Sequence, residues 1–142
     1  MQRLHFYMFF TFIALLLLGS NTFAADTEIP LKEGAWNITL QINPPTQDFI
    51  PIVQMLCLTQ KEPVPIPSKN GGCRLLTKEI EGSTVFWVAE CREGQFVTRS
   101  VGNATYNNKV VEGAVQTMTS STGKATEMRT YTLTGKRQGN CR

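Results

Sequence analysis

The only histidine among the 142 residues is His5, which lies in the N-terminal apolar region. From residue 25 onward no imidazole is available as a base, a nucleophile partner or a neutral metal ligand. This excludes Ser-His-Asp and Cys-His catalysis and histidine metal centres for that part of the chain. The four cysteines, Cys57, Cys73, Cys91 and Cys141, are separated by 16, 18 and 50 residues. Structural zinc sites bring their ligands in close pairs such as C-x-x-C, which these gaps do not supply, so two disulfides are the expectation. Oxidised cysteines also remove thiolate chemistry. No metal and no cofactor is expected, and no catalytic residue is assigned.

The carboxylates are the remaining reactive groups. Glu79 and Glu81 share a strand face, and Glu90 and Glu93 flank Cys91. Two carboxylates are the machinery of glycoside hydrolysis, but the acid of such a pair needs a pKa raised by burial. The tip of a hairpin, where Glu79 and Glu81 fall, does not provide it. A carboxylate-based hydrolase acting on an envelope polysaccharide is therefore the alternative reading, not the leading one.

Residues 1–24 read as a secretory signal. Arg3 and His5 precede a thirteen-residue apolar run from Phe6 to Leu18, broken only by Thr11, and small residues lead to a cut after Ala24. The run is shorter than the roughly 20 residues that span a bilayer, so no transmembrane span is expected after cleavage. Residues 25–142 are then one small domain, periplasmic or secreted in a bacterium, where disulfides persist. Cleavage leaves 13 cationic against 11 acidic side chains, net +2, without long runs of one sign. That balance does not suggest nucleic acid. Lys136, Arg137 and Arg142 make the C-terminal end locally basic.

The elements that would carry these residues read as strands. In 34–42, Trp36, Ile38, Leu40 and Ile42 alternate with polar residues until Asn43-Pro44-Pro45 interrupts. A second strand begins at Ile50 or Ile52 and ends at Leu58, with Pro51 marking an edge or a strand start. Residues 61–72 hold Pro63, Pro65, Pro67 and Gly71-Gly72 and read as an extended loop. Strands from Cys73 to Ile80 and from Thr84 to Ala89 flank a turn at 81–83, and a meander follows over 96–106, 110–119 and 125–135. No sustained 3.6-residue period occurs, so any helix is short, near Pro45–Phe49 or just after Leu58. The fold class is all-β, mainly antiparallel. About seven strands curl into a barrel or sandwich.

Along these strands lie Trp36, Phe86, Trp87, Phe96, Tyr106 and Tyr131. Strand neighbours point to opposite faces, so one of Phe86 and Trp87 faces the core and the other faces away. Trp36, Phe86, Trp87, Tyr106 and Tyr131 are the candidate ligand or partner surface. Asn37-Ile38-Thr39 and Asn103-Ala104-Thr105 match the glycosylation pattern but read more simply as strand residues with outward-facing asparagines.

Several landmarks occur in a fixed order: Gly34-x-Trp36, Cys57-Leu58-Thr59 before the proline-containing loop, Gly72-Cys73, a strand ending in Cys91, and Leu133-Thr134-Gly135-Lys136-Arg137-Gln138-Gly139-Asn140-Cys141. Together they resemble the domain-of-unknown-function 3617 family of exported bacterial proteins. The resemblance implies an envelope location and a β-rich domain, and it carries over no activity.

Of the three possible pairings, Cys57–Cys73 with Cys91–Cys141 is favoured, because the first closes the proline loop and the second ties down a chain end. The main competitor joins Cys73 to Cys91 as cross-strand neighbours. The functional expectation is a non-enzymatic binding module for an unknown small apolar ligand or envelope protein, acting through the concave face of the curled sheet. A structural or interaction protein acting through a sheet edge is a further alternative. A closed interior filled by side chains would favour a protein partner over a small ligand.

Overall fold

The computed structural model describes residues 28–66 and 72–141. The signal reading at 1–24, the cut after Ala24, Pro67, Gly71 and Arg142 lie outside the described residues.

Seven strands follow one another: β1 (Gly34–Ile42), β2 (Ile52–Leu58), β3 (Cys73–Glu81), β4 (Thr84–Glu93), β5 (Phe96–Asn107), β6 (Val110–Ser121) and β7 (Glu127–Gly139). They form one antiparallel sheet in the order β2-β1-β7-β6-β5-β4-β3. Alternating apolar side chains select the buried face: Trp36 and Ile38 on β1, Val85, Trp87 and Ala89 on β4, Ala104 and Tyr106 on β5, Tyr131 and Leu133 on β7. The outer face of β7 carries the exposed Thr132 and Thr134, β-branched residues suited to a pleated surface. The described residues contain no helix. Residues 45–49, one of the two places considered for a short helix, form a turn with Phe49 N–H bonded to Thr46 O at 3.4 Å.

β2 and β3 stand at opposite ends of the strand order, yet residues of both line a single groove, so the sheet curls into a half-barrel. Every pairing is antiparallel and six steps separate the two edges, so β2 and β3 run in the same direction. The connection between them must therefore return from the end of β2 to the start of β3. Its first part, 59–66, enters the interior, where Pro63, Val64 and Pro65 are buried. Proline suits this path because it has no amide donor to leave unpaired. The lead-in before β1 does the same: Ile29 and Leu31 join the core, although the stretch reads as polar in the sequence. Gln60 fastens the two segments together, its Nε2 donating to the Ile29 and Leu31 carbonyls at 2.8 and 3.0 Å.

The disulfides are Cys57–Cys141 and Cys73–Cys91, which corrects the favoured pairing. Glu81 opposes Thr84 across a two-residue turn, and on that register Cys73 would face Arg92. A bulge between Leu75 and Thr77 shifts the pairing by one residue and brings Cys73 opposite Cys91. At the other end, β1 lies between β2 and β7, and Ala35 pairs with both Cys57 and Gly139. Cys141, two residues beyond Gly139, reaches Cys57 across the end of β1.

Candidate functional site

The concave face, expected to bind a ligand, is instead filled. Trp36, Trp87 and Tyr106 are fully buried there, with Trp36 and Tyr106 edge to face at 5.7 Å and 87°. Tyr131 is buried too, its ring 5.9 Å from that of Phe49. Phe86 points outward and is 39% exposed, so the five aromatics do not form one surface. The strand alternation that makes them conspicuous in the sequence places four of them in the core. The remaining space is closed by Ile29, Leu31, Pro63 and Val64. Tyr106 donates its hydroxyl proton to the Pro63 carbonyl, and burial raises the pKa of that hydroxyl well above its ordinary range.

The carboxylate pairs lack the surroundings of an acid catalyst. Glu79 and Glu81 are both exposed on β3. Glu90 is held below the usual carboxylate range, first by the hydrogen bond from Arg92 and then by Arg74, each 3.0 Å away. That direction is opposite to the one a general acid needs. Glu93 is exposed at the end of β4.

The residues of the closing motif form a clasp. Arg137 Nε donates to Glu33 O at 2.7 Å and its Nη2 to Asn140 Oδ1 at 2.8 Å. Gly34 has φ 144°, and a Cβ there would run into the Gly139 carbonyl, so this close approach of β1 and β7 requires glycine. Cys141 completes the clasp through its bridge to Cys57.

Among the described residues, one open feature is the seam between β2 and β3. A groove of about 670 Å³ runs along it, bounded by residues 55–58 of β2, the 59–66 segment, and Cys73, Arg74, Leu75 and Lys78 of β3. Its lining includes Leu56, Leu58, Val64, Ile66 and Leu75, with Lys61, Arg74 and Lys78 as its cations and Glu62 as the one carboxylate among the described lining residues. Lys78 Nζ also donates to Lys61 O at 3.4 Å.

The two edges differ in character. β3 carries Arg74, Lys78, Glu79 and Glu81 as well as the bulge, features that discourage pairing with another strand. Around β2 no residue between Asp48 and Lys61 is charged. Ile50 is 84% exposed, and Val53 and Met55 60% each. Of these seam residues only the disulfide cysteines Cys57 and Cys73 were site candidates in the sequence, although the long uncharged run was a readable signal.

A family model described as "Protein of unknown function (DUF3617)" matches residues 31–141. No curated protein and no solved structure matches the chain.

Proposed function

The chain belongs to the DUF3617 family, whose description assigns no activity, and we propose that it is an exported, non-enzymatic module that binds a partner protein through the open edge of β2. The carrying observation is that edge: it is unpaired in the sheet, uncharged from residue 49 to 60, and studded with exposed Ile50, Val53 and Met55. Unsatisfied backbone donors and acceptors along such an edge are satisfied by an added strand, and neighbouring apolar side chains supply the affinity. The filled interior favours this reading over a ligand held on the concave face. Export is supported by the signal-like segment at 1–24 and by two disulfides, which persist in oxidising compartments.

Site-specific photo-crosslinking in the native envelope tests the proposal. A crosslinker at Val53 should give one discrete adduct with another protein, and one at Thr132, on the exposed face of β7, should not. The added substitution Ile52→Lys should suppress the adduct. An adduct equally strong from both positions, no adduct from Val53, or an adduct only with a second copy of this chain would overturn it.

A further inference from the structure

The seam groove has a composition that the β2 edge does not explain. Its lining combines apolar side chains from three segments, Leu56 of β2, Val64 and Ile66 of the 59–66 segment and Leu75 of β3, with three cations and one carboxylate. Among the described residues these are Lys61, Arg74 and Lys78 against Glu62, and Arg74 is also paired with Glu90 just outside the lining, which leaves a local excess of one positive charge. Arg74 is held in place by Glu90 at 3.0 Å, and Lys78 by the Lys61 carbonyl. The cations are thus positioned beside the apolar lining. Their aliphatic stems extend that lining while the charged ends stay in water.

We infer that the groove is a binding site for an anionic single-chain amphiphile, its alkyl chain against Leu56, Val64, Ile66 and Leu75 and its head group beside Lys61, Arg74 and Lys78. A volume of about 670 Å³ lies within the range of small-ligand pockets and matches one alkyl chain better than a bulky multi-chain lipid. Charge complementarity decides the head group. With Arg74 paired to Glu90, the positive excess left by Lys61 and Lys78 over Glu62 attracts an anion, repels a quaternary ammonium and gives a neutral alcohol no ionic contact. The groove shares Met55 with the β2 edge, whereas Val53, the crosslinking position, lies outside its lining.

Titration calorimetry with the disulfide-bonded protein, below the micelle concentration of each probe, tests the inference. Decanoate or decyl phosphate should bind, decanol more weakly, and decyltrimethylammonium not detectably. The double substitution Lys61→Gln, Lys78→Gln should weaken binding of the anionic probe by about fivefold and leave decanol unchanged, in keeping with exposed charge pairs. Leu75→Asn, at a position 41% exposed, should weaken both probes, with its urea midpoint measured alongside to show that the variant is folded. Decanol binding as tightly as the anions, insensitivity of the anions to the double substitution, or no binding by any probe would overturn the assignment. The crosslinking result at Val53 is unaffected by any of these outcomes.

Discussion

Tyr106 shows how one side chain couples the sheet to its filling. Its ring packs against Trp36 and its hydroxyl donates to Pro63, so β5 holds the 59–66 segment inside the curl. Tyr106→Phe leaves a buried carbonyl unpaired and should cost about 1–3 kcal/mol in urea unfolding. The pH dependence has a defined sign. Burial raises the pKa of this hydroxyl above its ordinary value of about 10, so the unfolded chain loses its proton more readily. The contribution is present in full below that value and is lost as pH rises above it towards the folded pKa. Alkaline destabilisation beginning near pH 10 should therefore be smaller in Tyr106→Phe, and an unchanged profile would count against this account. Gly102 makes a comparable demand, because a Cβ there would enter the Trp87 ring. Gly102→Val should destabilise by about 1–3 kcal/mol through overpacking, measurable as a lowered urea midpoint. The sequence made Trp87 legible as one of an inward–outward pair with Phe86. It gave no sign that Gly102 lies against it, since that contact depends on the Trp87–Gly102 register between β4 and β5.

The strands themselves are the most legible elements, since alternation in β1 and turn residues between later strands mark them directly. Pro51 likewise pointed to an edge, and β2 is one. The disulfide pairing was harder to read, because it depends on one extra residue, Leu76, in the β3 bulge, and bulges leave no strong compositional mark. Non-reducing peptide mapping should link residue 73 to 91 and residue 57 to 141. The loops they close differ in length, with sequence separations of 18 and 84. In the chain-entropy picture these correspond to about 3 and about 4.5 kcal/mol. Urea unfolding of Cys57→Ala, Cys141→Ala should therefore show the larger loss, and Cys73→Ala, Cys91→Ala the smaller. The reverse order would mean that native-state effects outweigh loop entropy here.

At the scale of the whole molecule, the half-barrel has no pairing between its edges, and its core is completed by segments outside the sheet. Because β2 and β3 run in the same direction, the 59–66 segment begins the return to the start of β3, and its prolines allow it to be buried. Strand counting from sequence could not reveal this, since it depends on how the edges meet. The lead-in is hard to read from sequence for a related reason: Ile29 and Leu31 are two apolar residues in a polar stretch, too few to form a pattern, yet each side chain is buried. Their position also constrains processing. A signal cut after Ala24 leaves both residues in the mature chain, whereas trimming past Leu31 would remove them from the core. Protein recovered from the envelope should have the mass of residues 25–142 less four hydrogens for the two disulfides. A variant beginning at Lys32 should lose about 3–6 kcal/mol, the burial free energy of two aliphatic side chains. Equal stability of the two forms would show that the interior closes without its N-terminal plug, and retention of residues 1–24 in the recovered protein would refute cleavage at Ala24.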